Sequence, residues 1–223
     1  MAKSEWKPGC PIWEESPDNQ RSRAQHKRVL AQIIANDHKR LPGTEMVLGW
    51  HRELFVGVAP HPDYVGYFRD LDKVPKCCQD AAVHVAGIPG RPPQTVLDDV
   101  SDYISEFNIQ IKEIDRMWES LKDVKTVFAT DRIIKMAAWA HGEWVWIHPF
   151  VNGNGRTARL WVSYILLRYG FPPIAVRPRP DTPYGDASMA SMRDHDHNMI
   201  ESVLWQLLFE AYEETIFKPL GET

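Results

Sequence analysis

The stretch His148-Pro-Phe-Val-Asn-Gly-Asn-Gly-Arg-Thr-Ala-Arg159 joins an apolar, tryptophan-rich segment to a long amphipathic one. The segment before it, Ile133 to Ile147, has helical composition, and Pro149 should end that helix by disfavouring the α region at His148 and removing an amide donor. The histidine then falls on a loop. Asn152-Gly153-Asn154-Gly155 supplies residues that tolerate positive φ, and Arg156 to Tyr169 resumes a helical pattern with Leu160, Ser163, Tyr164 and Leu167 on one stripe. A glycine-rich turn opening a helix aims free backbone N–H groups and the positive helix end at one spot, which suits phosphate. Arg156 and Arg159, three apart in the first helical turn, can both reach an anion bound there. His148, whose neutral form is well populated at pH 7, is placed to accept a proton from a hydroxyl attacking that phosphate. Phe150 plugs the turn into the core. The glycines alone would be an ordinary connection between helices; their conjunction with a loop histidine and two arginines describes phosphoryl or nucleotidyl transfer.

These residues resemble the signature of Fic-domain proteins, His-x-Phe-x-[Asp/Glu]-Gly-Asn-Gly-Arg-x-x-Arg. The resemblance implies a Fic-type helical bundle with one short β-hairpin flap, and transfer of AMP from ATP to a Ser, Thr or Tyr hydroxyl of a target protein. It makes His148 the general base. Gly153, Asn154, Gly155 and Arg156 would hold phosphates, Arg159 would orient the terminal phosphate, and Tyr184 would lie beside the nucleotide base. Gly155 stands where the kinase-like branch of the family has Lys, which favours nucleotidyl transfer. Asn152 departs from the pattern: the family's Asp or Glu there ligates Mg2+, and an amide oxygen lacks the charge that a hard cation prefers. Three readings follow: an attenuated AMP transferase, an enzyme with another nucleotide or phosphate moiety or metal use, and a non-catalytic nucleotide-binding interaction module.

Upstream, Asn19 to about Arg40 reads as a helix ended by Leu41-Pro-Gly43, and Thr44 to Phe55 as a second, with Thr44 as its N-cap and Met46, Val47, Trp50 and Leu54 on its apolar stripe. Gly66 and Arg69, in the loop that follows, extend the family resemblance. Ala82 to Ala86 has strand propensity, Gly87-Ile-Pro-Gly90 makes a turn, and Arg91 to Val96 is extended. By resemblance this hairpin is the flap, and Val83, His84, Val85, Ala86, Gly87 and Ile88 would dock a protein substrate by strand addition. Asp98 to Leu121 is a long helix; Val124 to Trp146 is another, capped by Thr130 or Asp131, with His141 satisfying a core hydrogen bond. Tyr184 to His197 reads as one helix, in which His195 and His197, two apart, cannot share a face to hold a metal. Met199 to Phe217 closes the bundle.

The division expected is residues 1–45 as an N-terminal arm and helix, the arm packed by Trp6 and Trp13, and 46–223 as the Fic domain. A hydrophobic content of 43% and nine Trp in 223 residues support one packed core, and a net charge of −4 excludes a general nucleic-acid binder. No apolar run approaches a membrane span, and the N-terminus lacks a secretory pattern, so the expectation is a cytoplasmic protein with no membrane partner. Cys10, Cys77 and Cys78 read as free thiols. Many Fic proteins restrain themselves with a [Ser/Thr]-x-x-x-Glu-[Gly/Asn] helix, whose glutamate pairs with the second arginine. No such segment occurs here, which leaves inhibition to a separate protein or to none.

Overall fold

Val127–Ile147 is apolar on almost every side, so it is the helix that the others bury. The computed structural model describes residues 13, 20–69, 83–85, 87–121, 127–174 and 183–217. Among these, the helices are α1 (Gln20–Ala35), α2 (Thr44–Phe55), α3 (Val96–Leu121), α4 (Val127–Ile147), α5 (Asn154–Arg168), α6 (Pro183–Asp194) and α7 (Asn198–Phe217). The strands β1 (His84–Val85) and β2 (Ile88–Pro89) form one antiparallel hairpin, in which His84 faces Pro89 and Val85 faces Ile88. The protein is therefore a mainly α bundle with one short hairpin. α3, α5, α6 and α7 all pack on α4, and α1 lies across α2 and α5. Ala137, Ala138, Ala140 and Gly142 keep α4 thin where its neighbours approach.

The core is aromatic. Trp161 of α5 is ringed by Phe107, Trp50, Tyr103 and Trp144 at centroid distances of 4.6, 5.2, 5.3 and 5.7 Å. Trp13 is buried, stacked on Tyr64 and edge-on to Phe55; Trp6 and the rest of the expected arm before Gln20 lie outside the described residues. So do all three cysteines. Asp115 of α3 binds Arg168 of α5 at 2.6 Å, and the hydroxyl of Tyr164 donates to the carbonyl of Arg40. No helix among the described residues is long and apolar enough to cross a membrane.

Several boundaries differ from expectation. α1 ends at Ala35, and the chain tightens into a 3-10 turn at Asp37–Lys39, where Asp37 is buried and accepts from the indole of Trp50 at 2.9 Å. Gly43, not Thr44, is the N-cap of α2. Thr130 and Asp131 lie inside α4. Ile88–Pro89 is the second strand rather than a turn, and the positive-φ position is Gly87 alone. Arg91 to Val96 is not extended: Pro93–Thr95 makes a 3-10 turn, since proline at its first position is pre-set for helical φ, and α3 begins at Val96. Tyr184 to His197 breaks at Asp194, because His195 takes a left-handed φ of 54°.

Candidate functional site

His148 follows the last residue of α4. Its own N–H still bonds to the Trp144 carbonyl at 3.1 Å, and its φ of 55° turns the chain out of the helix in a conformation usually left to glycine. The ring is oriented through Nδ1, which bonds to the Val145 carbonyl at 3.1 Å. A carbonyl can only accept, so Nδ1 carries the proton and Nε2 keeps its lone pair. Burial pushes this imidazole down to about 4; Arg69 lowers it further, and the Val145 carbonyl opposes the shift. At pH 7 the side chain is a neutral base with Nε2 available.

The loop after it is held by its own polar groups. Phe150, fully buried, plugs the turn as expected, with its ring stacked on His51 at 3.8 Å. Asn154 accepts from the Phe150 N–H and donates to the Phe150 carbonyl, both at 2.8 Å, so its side chain closes the loop. Gly153 is the N-cap of α5 at φ 87°; a Cβ there would meet the Phe55 ring at 2.3 Å. The amides of Arg156 and Thr157 bond back to the Gly153 carbonyl. Asn154 and Gly155 thus open α5 where amides have no intrahelical acceptor. Thr157 receives the Trp144 indole N–H at 2.7 Å and ties α5 to α4.

His51 is a participant that the sequence reading missed. It is fully buried, accepts from the Gly66 amide at Nδ1, and donates from Nε2 to the Asn152 carbonyl, both at 3.0 Å. Burial holds its pKa down to about 3, so it braces the loop as a neutral ring. Its place at helical spacing from Val47 and Leu54 on the buried face of α2 was the available signal.

Arg156 and Arg159 lie on the first turns of α5, half-exposed. The guanidinium of Arg156 sits over Phe55 at 5.2 Å. Arg159 donates to the Tyr184 hydroxyl at 3.3 Å, and that hydroxyl bonds to Nε2 of His141 at 2.8 Å. His141 is in the core with one hydrogen bond, and burial, aided by Arg159, pushes it down to about 3. Tyr184, itself buried, thus steadies Arg159 from α6. From the other side α1 brings His26, whose pKa falls to about 4 through burial and then the fields of Arg159 and Arg156.

Arg69 links the base to the hairpin. It is fully buried, and donates from Nε to the His148 carbonyl at 2.5 Å and from Nη2 to the carbonyls of Arg91 (2.5 Å) and Ile147 (3.1 Å). Its own amide binds the Pro149 carbonyl at 2.8 Å. Burial lowers its pKa to about 10, which leaves it charged at neutral pH. Gly90, at the end of β2, sits so close that a Cβ would meet His148 Cβ at 2.8 Å. The hairpin formed by Val83, His84, Val85, Gly87 and Ile88 is therefore beside the base; Ala86 lies outside the described residues.

The donor set does not suit protein-held magnesium. Asn152 offers one neutral oxygen, and that oxygen already accepts from the Gly153 amide at 2.6 Å. Charge on a bound phosphate would be met by Arg156, Arg159 and the opening amides of α5. The arrangement can bind a polyphosphate and deprotonate a hydroxyl brought to it.

The Fic/DOC family model matches residues 42–166. "Protein adenylyltransferase Fic" from Nematostella vectensis is 57% identical over 44 residues, which is 20% of this chain and 10% of that protein. "Protein adenylyltransferase fic-1" from Caenorhabditis briggsae is 45% identical over 92 residues, 41% of this chain and 15% of that one. The chain thus spans only a small part of the curated relatives it matches. Among solved structures, a Fic-domain-containing signaling protein from Bacteroides thetaiotaomicron superposes with a TM-score of 0.63 at 20% identity, covering 90% of this chain and 72% of that one. The BepC effector protein from Bartonella tribocorum, solved with bound AMPPNP, gives 0.57 at 14% identity, covering 90% and 93%. These structures share the fold.

Proposed function

The chain belongs to the Fic/DOC family, and on that premise we propose that it is a protein adenylyltransferase, moving AMP from ATP to a Ser, Thr or Tyr hydroxyl of a target protein. The observation that carries this reading is the state of His148: neutral, with Nδ1–H engaged by Val145 and Nε2 available, at the mouth of the turn that opens α5. Nε2 takes the hydroxyl proton as the oxygen attacks the α-phosphorus. The bond from that phosphorus to the bridging oxygen breaks, and pyrophosphate leaves. Arg156, Arg159 and the amides of Asn154 and Gly155 hold the phosphates. Tyr184 keeps Arg159 in place, and the hairpin holds the target strand beside His148.

With a neutral, already hydrogen-bonded amide at position 152, transfer is slower than a carboxylate there would allow. Restraint, where it exists, would come from a separate protein that brings a carboxylate to Arg159, because the face of α1 near the arginines carries His26.

The test is incubation with ATP labelled on the α-phosphate and, separately, on the γ-phosphate, scoring label on lysate proteins and on the chain itself. We expect α-label on protein. His148→Ala should abolish it, by at least about a hundredfold, as loss of a general base requires, without changing ATP affinity. Asn152→Asp should raise it. γ-Label on protein would mean a kinase-like reaction. The absence of both labels, even in Asn152→Asp, would favour a nucleotide-binding module without chemistry.

A further inference from the structure

His195-Asp-His197 is not helical, and this changes what the two histidines can do. α6 ends at Asp194, and the positive φ of His195 folds the chain into a tight turn before α7. Asp196 braces that turn: its side chain accepts from the Asn198 amide at 2.9 Å, and its carbonyl accepts from Ser191 Oγ at 3.2 Å. The two imidazoles on either side of it then converge. Nε2 of His195 lies 2.5 Å, and Nε2 of His197 3.0 Å, from the same oxygen of Glu143 on α4.

From this juxtaposition we propose that Glu143, His195 and His197 form a binding site for a divalent transition cation of the zinc class, which fastens the α6–α7 turn to α4. One ligand atom from each of the three lies within 4.8 Å of the other two. A tetrahedral ion with bonds of about 2.0–2.2 Å sets its donors about 3.3–3.6 Å apart, so the contacts need open by only about an ångström to admit it. Two imidazoles and a carboxylate are a donor set that zinc takes readily and magnesium does not.

The surroundings hold the ligands in place. The His197 ring rests directly on Gly142, where a Cβ would come within 2.1 Å of Nδ1, so a glycine inside α4 gives it room. Trp146, one turn beyond Gly142, stacks on the His195 ring at 4.2 Å and 15°. Glu143 and His197 are largely buried, with side chains 16% and 14% exposed, while His195 at 46% faces solvent. Three protein donors with one side open leave a fourth position for water. The three ligands are separate from the residues of the turn that opens α5.

The experiment uses the full chain, stripped by chelator and titrated with Zn2+ and, in parallel, Mg2+. We expect one equivalent of zinc with a Kd in the micromolar range or tighter, no comparable uptake of magnesium, and a Tm rise of roughly 5–10 °C at a hundredfold excess over Kd. His195→Ala/His197→Ala should weaken zinc binding at least a hundredfold and remove the Tm rise. Glu143→Gln, which keeps the side chain's size, should weaken it at least tenfold. Cys77→Ser/Cys78→Ser should leave the full equivalent bound. Absence of stoichiometric zinc, or binding that survives both the histidine pair and Glu143→Gln, would overturn the proposal.

Discussion

Replacing Asn154 by alanine would strand the Phe150 amide and carbonyl without their partner. A buried polar group left unpaired costs about 1–3 kcal/mol. Asn154→Ala should therefore lower stability by about 2–4 kcal/mol and Tm by roughly 5–15 °C, read by thermal denaturation; an unchanged Tm would mean that this side chain does not hold the loop. Position 154 could be read from the motif, but only the structure gave the bonds that its amide makes. His51 shows why some of the site was hidden. Its partners lie 15 and 101 residues away, so a histidine beside Trp50 reads as one more helix position until Gly66 and Asn152 are brought to it. His148 was legible because its constraint is local: Pro149 follows it, and its ring bonds three residues back.

At the scale of elements, α2, α3, α4 and α5 followed from apolar spacing, because each buries one face or all of its surface in the same core. What failed were the joints. A 3-10 turn opened by proline looks extended in sequence, as at Pro93–Thr95, and a left-handed histidine leaves no compositional mark, as at His195. The placement of α1 was also unreadable, although it decides what faces the arginines. Since α1 sets His26 in the field of Arg159 and Arg156, His26→Glu would put a carboxylate beside the arginines of the proposed phosphate site. We expect ATP affinity and α-label transfer to fall at least tenfold, with His26→Gln close to the parent; binding assays on both variants decide it. Equal affinity in His26→Glu would remove α1 from the nucleotide site.

The whole molecule carries a pH dependence set by its interior. His51 and His141 have folded pKa values of about 3 and His148 about 4, each below the ordinary 6.5 because of burial. Between those values the unfolded chain binds more protons than the folded one, so stability is complete above about pH 6.5 and falls as pH drops towards 4 and below. Each ring contributes at most about 1.4 kcal/mol per pH unit. Tm should be flat from pH 7 to 8 and lower by many degrees at pH 5, and transfer should fail in acid with the fold rather than with the titration of His148. A Tm independent of pH down to 4.5 would show that these rings are not held neutral. The aromatic packing around Trp161 has an optical consequence. Trp50, Trp144 and Trp161 lie within one ring-to-ring shell, so light absorbed by any of them is shared before emission, and their fluorescence reports the integrity of the interior as a unit. Trp146, half-buried and stacked on His195 at the α6–α7 turn, is an indole whose emission would report events at that turn as well as at Arg91, whose guanidinium lies 4.7 Å over its ring.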